Sequence, residues 1–211
     1  NTLFHSDVVQ AVATKKINFH NLGIDSAAIS GHKIGGPKGI GVMFLKTGYK
    51  IPSFLHGGKQ ELERRAGTVN VSGVAGLAAA LKEQQNNLEE EVALIENERQ
   101  IFENILKENF ELKIVGENVE RLCHISNIQF KEVNSETLMV ALDLNGIGVS
   151  RGSACASGAQ KPSHVLKAMK IDEKVINNHL RFSFGWTTQN GDGIKFAEIV
   201  KKTIEELIWE F

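Results

Sequence analysis

The sequence predicts an α/β fold, because short apolar segments typical of strands alternate with longer segments of helical period. Hydrophobic residues make up 42% of the 211 residues, which is enough for a folded core, and 23% of the residues are charged. Division of the length by roughly 150 residues per domain predicts one large or two small domains. We therefore expect strands and helices to be interleaved in each part of the chain.

The N-terminal part contains three predicted strands, Leu3–Ser6, Ser26–Ser30 and Gly41–Leu45, each bounded by turn-forming or charged residues. A short helix is predicted at Val8–Thr14. Residues 46–70 lack a clear period and form a long connection. Connections of this length in compact domains are often functional, so we expect this one to contribute to a site.

A long helix is predicted from about Val71 to Asn109, where apolar residues recur on a broad stripe. Because the pattern is longer than a typical globular helix, we expect a bend or break near Gln84–Asn87. A domain boundary is expected inside this helix, around residues 70–90. The prediction assigns residues 1–80 to one domain and residues 81–211 to a second, smaller α+β domain.

The C-terminal part again alternates between strands and helices. Strands are predicted at Glu111–Val115, Ile125–Phe130 and His179–Phe184, and helices at Ser135–Leu144, from Pro162 to Met169, and up to about Trp209. Ser135 is the candidate N-cap of the first of these helices, and Thr187 or Thr188 that of the last. Proline is favoured in a first helical turn, which suits Pro162.

Charge and composition argue against several classes of protein. The 24 Lys and Arg against 25 Asp and Glu give a net charge of −1, so no basic excess indicates nucleic acid or anionic lipid. The longest apolar run, near Val74–Leu81, is far shorter than the roughly 20 residues that span a bilayer. Cys123 and Cys155 are not in a CxxC pair, and no metal site is predicted. These features favour a cytoplasmic protein.

Ser30–Gly41 is the segment with the strongest chemical signal. It is not a P-loop, because Lys38 is followed by glycine rather than by serine or threonine. Ser30 and His32 are predicted on one face of an extended segment, where both could donate to one anion, with Lys33 on the other face. Such a lysine could form a Schiff base. A solvated lysine beside a turn histidine is the more common interpretation of an isolated pair.

Asp7 and Gln10 follow a predicted strand and lie three residues apart, on one face of a helical turn. A carboxylate beside a pyridinium nitrogen and an amide that donates to a ring oxygen are what a pyridoxal phosphate site needs. In isolation, Asp7 would more often be a helix N-cap. The two interpretations are both open at this point.

The two cysteines have different surroundings. Cys155 lies among small residues between Gly152 and Gly158, which favours an exposed, moving thiol that reaches a substrate. Cys123 precedes an apolar strand and is predicted to pack in the core.

Six motifs occur in the order in which they are found in cysteine desulfurases of the NifS/IscS type, and the chain resembles that family over essentially its whole length. They are Asp7-Val-Val-Gln10, Ser30-Gly-His-Lys33 with Gly36-Pro-Lys-Gly39, Arg65-Ala-Gly-Thr68, Gly152-Ser-Ala-Cys155, Pro162-Ser-His-Val-Leu166 and Leu180-Arg-Phe-Ser183. The resemblance implies a fold-type I pyridoxal phosphate enzyme. It also implies that the cofactor domain begins well upstream of Asp7, so we expect the C-terminal portion of such an enzyme.

The resemblance implies a role for each matched cofactor residue. Lys33 would carry pyridoxal phosphate covalently, Asp7 would pair with the pyridine nitrogen, and Gln10 with the ring hydroxyl oxygen. Ser30 and His32 would hold the phosphate.

Three further roles concern the substrate and a second subunit. Thr68 would complete the phosphate site of the partner subunit, which implies a homodimer. Arg181 would bind the carboxylate of the substrate L-cysteine. Cys155 would take the sulfur as a persulfide and pass it to an acceptor, such as an iron–sulfur scaffold or a tRNA-thiolation protein.

Two alternatives stay open beside the desulfurase hypothesis. One is a selenocysteine lyase or a related pyridoxal phosphate lyase. The other is a non-catalytic partner that binds sulfur acceptors. The presence of Lys33, Asp7 and Gln10 together counts against the second alternative.

Overall fold

The computed structural model describes residues 2–131, 133–152, 163–172 and 174–209. The predicted α/β class is confirmed, since strands and α-helices alternate along the chain. The chain forms two compact units, Asn1–Glu89 and Glu90–Phe211. Pro162 and Cys155 lie outside the described residues.

The first unit contains a three-stranded sheet with the order β1-β2-β3, formed by β1 (His5–Asp7), β2 (Ser26–Ser30) and β3 (Gly41–Leu45). β1 and β2 are parallel, whereas β2 and β3 are antiparallel. β2 and β3 have the predicted bounds. β1 begins two residues later than predicted, so that Asp7 is the last residue of the strand.

The helix predicted at Val8–Thr14 does not form, and this prediction was wrong. The segment makes successive turns instead, with bonds of 3.0 Å from Val12 N to Val8 O and 2.8 Å from Lys15 N to Ala11 O. Starting a helix is costly, and so short a segment depends on tertiary contacts to continue. Val8 and Val12 are buried in the core of the first unit, together with Ile24, Ala27, Ile29, Ile34 and Leu77.

Helix α1 spans Val71–Asn109, the predicted bounds, without the break that we expected near Gln84–Asn87. Asn70 precedes it, and its side-chain oxygen accepts from the N–H of Gly73 at 3.0 Å, as an N-cap does. The connection before α1 contains a short 3-10 segment, Gln60–Glu63. Three successive residues there, Glu61, Leu62 and Glu63, have φ angles of 52°, 56° and 64°.

The second unit contains an antiparallel sheet with the order β4-β5-β6, formed by β4 (Leu112–Ile114), β5 (Ile125–Phe130) and β6 (His179–Ser183). Its other helices are α2 (Ser135–Leu144), α3 (His164–Ala168) and α4 (Asp192–Trp209). The core is rich in large apolar side chains, among them Phe102, Leu106, Ile128, Phe130, Leu138, Leu142, Leu180, Val200 and Ile204.

The predicted caps of the helices in this unit were wrong. Asn134, not Ser135, caps α2 by accepting from the N–H groups of Glu136 and Thr137. Ser135 is buried and donates to the carbonyl of Asn177. The last helix begins at Asp192, later than either predicted threonine. Asn and Ser are comparable caps, so the sequence alone does not separate adjacent candidates.

Among the described residues, no helix combines the length and apolar character needed to cross a bilayer.

Candidate active site

Two parallel strands bring Asp7 and Ser30 to one edge of the sheet in the first unit. Asp7 ends β1 and pairs in register with Ala28 of β2, and Ser30 ends β2 two residues further on. The carboxyl ends of parallel strands form the usual ligand-binding edge of an α/β sheet. Polar side chains predicted from the sequence to hold one cofactor therefore share this edge.

Ser30, His32 and Lys33 lie at the start of a tight turn rather than on an extended segment, which corrects the expected geometry. A 3-10 turn covers Gly31–Ile34 directly after β2. It brings the Oγ of Ser30 within 2.8 Å of the Nδ1 of His32. His32 and Lys33 are both exposed. The hydroxyl and the imidazole thus form a hydrogen-bonded pair beside an exposed amine.

Asp7 and Gln10 lie on the turns that follow β1. One carboxylate oxygen of Asp7 accepts from the N–H of Val9 at 2.9 Å, which is the local contact that a cap would make. Asp7 and Gln10 are both exposed. The backbone N–H of Val8 continues the pairing with β2, at 3.1 Å from the carbonyl of Ala28. The sheet therefore holds Asp7, whereas Gln10 depends on the turns.

Thr68 lies in the long connection before α1 and is exposed. Side chains of the same connection hold its backbone: Arg65 donates to the carbonyls of Gly67 and Thr68 at 3.2 and 3.3 Å, and Gln60 accepts from the N–H of Gly67 at 3.1 Å. These side-chain bonds hold the backbone around Thr68, which lies in neither a helix nor a strand. The role of Thr68 in a partner's phosphate site stays a prediction.

Arg181 lies in the second unit, on β6, where it is half-buried and opposite Asn127. Its backbone also pairs with Ser150, with 2.7 Å from Arg181 N to Ser150 O and 3.1 Å from Ser150 N to Arg181 O. Ser150 precedes Cys155 by five residues.

Cys123 is 7% exposed and lies in the core, as predicted.

Sequence reasoning missed a buried network of charges in the second unit. Glu103 contacts Arg99 at 2.9 Å and Arg121 at 2.6 Å, and Arg99 donates to the carbonyl of Cys123 at 2.7 Å. Burial raises the pKa of Glu103, but the hydrogen bonds from Arg121 and the charges of Arg121 and Arg99 outweigh it and lower that pKa. Nothing in the sequence marks these charges as buried.

Comparison with known proteins identifies the family. Residues 1–193 match the model of the family described as Aminotransferase class-V. The chain belongs to the class-V aminotransferase family. It is 35% identical over 205 residues to a cysteine desulfurase IscS from Dictyoglomus turgidum and 37% identical over 205 residues to one from Methanosarcina thermophila. These alignments cover 97% of this chain but 52% and 50% of the relatives, so the chain spans about half their length.

Solved structures agree with this assignment. A NifS-like protein from Rickettsia africae superposes with a TM-score of 0.84 at 32% identity, covering 96% of this chain and 54% of the other. The structure of SspA in complex with cysteine gives a TM-score of 0.66 at 28% identity, covering 86% of this chain and 50% of the other.

Members of this family use pyridoxal 5'-phosphate bound on a lysine. The groups at the sheet edge suit that cofactor chemically. An amine, a carboxylate, and a hydroxyl paired with an imidazole are the types of group that a carbonyl, a pyridine nitrogen and a phosphate require. The chain therefore carries a donor set that fits the cofactor of its family.

Proposed function

We propose that the chain forms the lysine-bearing part of a pyridoxal-phosphate-dependent cysteine desulfurase, which converts L-cysteine to L-alanine and collects the sulfur as a persulfide on Cys155. The observation that carries this proposal is the arrangement of Asp7, Ser30, His32 and Lys33 around the carboxyl ends of β1 and β2. The identity to curated desulfurases supports the choice of reaction.

When bound, pyridoxal phosphate supplies an electron sink for the negative charge that develops at the substrate Cα. Lys33 is the residue that holds the cofactor, and its Nζ then takes the Cα proton and returns it. The carboxylate of Asp7 keeps a proton on the pyridine nitrogen. Ser30 and His32 donate to the phosphate, and Gln10 donates to the ring hydroxyl oxygen.

The sulfur step belongs to Cys155. Its thiolate attacks the substrate sulfur, so that an S–S bond forms and the bond from sulfur to Cβ breaks. The electron pair of the broken bond goes to Cβ, which takes a proton and becomes the methyl group of alanine. Arg181 holds the substrate carboxylate through its two parallel N–H groups.

Our proposal extends to the organisation of the protein. Residues 1–80 belong to the large cofactor domain and residues 81–211 to the small domain, a division supported by the boundary between Glu89 and Glu90. A homodimer, with Thr68 completing the phosphate site of the partner, and a cytoplasmic location are further parts of the proposal. The sulfur acceptor is an iron–sulfur scaffold or a tRNA-thiolation protein.

Intact-mass spectrometry tests the reaction most directly. The chain is incubated with pyridoxal phosphate and L-cysteine, both alone and joined to the part of the Dictyoglomus turgidum relative outside the matched region. We expect a gain of one sulfur atom on Cys155 that a reductant removes. Lys33→Ala and Cys155→Ser are each expected to abolish it.

Comparison of the chain alone with the joined form distinguishes the possible outcomes. An adduct in the joined form alone means that the matched half needs the remainder of the fold. Absence of both the adduct and the cofactor absorbance in the joined form would overturn the desulfurase proposal. A large preference for selenocysteine over cysteine would instead indicate the lyase alternative.

A further inference from the structure

Helix α1 contacts both segments that bear the proposed cofactor residues of the first unit. Gly76, Ala80 and Gln84 are spaced four residues apart, so they lie along one stripe of the helix. Gly76 and Ala80 lie close to the Gly35–Pro37 segment, which follows Lys33, and Gln84 bonds to the turns that carry Gln10. None of the three residues has a role in the chemistry described above.

Gln84 holds the turns that carry Gln10. It is 9% exposed, and its Nε2 donates to the carbonyl of Val12 at 2.8 Å. In a continued helix that carbonyl would accept from the N–H of residue 16, but the segment makes only turns. The side-chain amide of Gln84 thus supplies the donor that the missing helix does not.

The environment of Gln84 argues against a role in packing alone. Its Oε1 is buried and has no hydrogen-bond partner among the described residues. A buried acceptor without a partner is unfavourable, and a leucine at this position would avoid it. The donated bond to Val12 is the compensating contact that requires an amide here.

Gly76 holds the other segment. A Cβ at this position would lie 2.5 Å from the Cγ of Pro37. Alanine is ordinarily better than glycine in a helix interior, so the glycine indicates that Pro37 must approach the helix closely. Gly36, next to Pro37, donates from its N–H to the carbonyl of Gly31 at 2.9 Å. Through this bond, the position of Pro37 constrains the turn that carries Lys33.

We propose that Gly76 and Gln84 are positioning residues for the cofactor site, Gly76 acting on the Lys33 turn through Pro37 and Gln84 acting on Gln10 through Val12. This inference rests on the proposed function for its consequence, but its structural part does not need a cofactor. Gly76 fixes the position of the Lys33 turn alone, and Gln84 fixes that of the turns that carry Gln10.

Hydrogen exchange of the unliganded chain tests the structural part. Gln84→Leu is expected to speed exchange at the amides of Val12 and Lys15 about fivefold, the equivalent of one typical hydrogen bond, and to leave Gly31 and Gly36 unchanged. Gly76→Ala is expected to show the reverse pattern. Leu88→Ala, at another buried position of α1, controls for general destabilisation and should not discriminate between the segments.

A double variant tests whether contact with Pro37 explains the expected effect of Gly76→Ala. Pro37→Ala removes the atoms that the new methyl group would meet, so Gly76→Ala with Pro37→Ala should restore slow exchange at Gly36. Gln84→Met replaces Gln84→Leu if the leucine variant does not fold. Equal changes at both segments in every variant, or no change in Gly76→Ala, would overturn the proposal.

Pyridoxal phosphate binding tests the functional part. We expect Gln84→Leu and Gly76→Ala each to raise the dissociation constant about fivefold or more, whereas Leu88→Ala leaves it unchanged. Because Gln10 donates to the ring oxygen, Gln84→Leu should also shift the pH titration of the bound cofactor's absorbance to higher pH. Unaltered binding and titration in both variants would overturn this part. If the parent chain, alone and joined, binds no cofactor, the proposed function fails, and hydrogen exchange still decides the positioning.

Discussion

Charged and polar groups are arranged in opposite ways in the two units. At the sheet edge of the first unit, Asp7, His32 and Lys33 are exposed and make few contacts. In the second unit, Arg99 and Glu103 are 3% and 4% exposed and lie in a network of ion pairs. Spare donors and acceptors at a strand edge suit a ligand, whereas buried charges that are paired with each other are costly to separate, because removal of one leaves its partner buried and uncompensated. Burial and pairing, rather than charge alone, separate site from scaffold.

The largest expected effect comes from removing Glu103. Glu103→Ala leaves two arginines without their shared carboxylate, so we expect a loss of about 3–5 kcal/mol in the free energy of unfolding. Asp7→Ala should cost less than about 1 kcal/mol and instead abolish cofactor binding. Urea unfolding followed by circular dichroism measures the loss of stability in both variants. Equal stability losses in the two variants would remove the contrast between the units.

Glu111→Ala, in an exposed ion pair with Lys131, is the control and should change stability by at most about 0.5 kcal/mol.

A smaller loss is expected at the start of α4, where the second unit uses another buried carboxylate. Glu98 is 2% exposed and accepts from the N–H groups of Gly193 at 2.8 Å and Gly191 at 3.2 Å. A Cβ at Gly193 would collide with the backbone carbonyl of Glu98. Gly193→Ala should therefore cost about 1–3 kcal/mol. Gly185→Ala, which places its methyl group in open space, should be close to neutral in the same thermal unfolding experiment.

Acid is expected to weaken the second unit. Burial lowers the pKa of His124 and of His179 from the ordinary 6.5, so the unfolded chain binds more protons as the pH falls below that value. The free energy of unfolding should decrease from about pH 6.5 downward. A further decrease is expected below about pH 4.5 as Glu103, whose pKa is also lowered, is protonated.

Tryptophan fluorescence can follow this loss selectively, because Trp186 and Trp209 both lie in the second unit. Urea midpoints between pH 7.5 and 5.5 should decrease, and replacing both histidines by leucine should flatten that dependence. A dependence that persists unchanged in the double variant would contradict the assignment to these histidines.

The smallest expected effect is a gain in stability at an exposed position of the second unit. Lys170 follows α3 with a φ of 60°, and its N–H and that of Ile171 bond to the carbonyls of Lys167 and Leu166. This is the Schellman arrangement, which favours glycine at that position. Lys170→Gly should raise the unfolding free energy by about 0.5–1 kcal/mol. Lys170→Ala keeps the Cβ and should give no gain, so equal gains would exclude the backbone explanation.

Much of the fold could be predicted from hydrophobic period and turn residues. The bounds of β2, β3, β5, α1 and α2 agree with the prediction because each element has a regular apolar pattern. The predicted helix at Val8–Thr14 failed because it was short, and its segment is fixed instead by Gln84, 72 positions away from Val12 in the chain. The cap of α2 failed because the adjacent Asn134 and Ser135 compete for the same role, and that of α4 failed because the helix begins later than either threonine.

Local patterns were enough to predict the α/β class and the order of the elements, and the motifs predict which residues carry the chemistry of the family. Those properties depend on local pattern and on residue type. It is the folded chain that places Asp7 at the end of a strand parallel to β2 and that buries Arg99 and Glu103. These features depend on residues far apart in the chain that meet only on folding, so no local pattern encodes them.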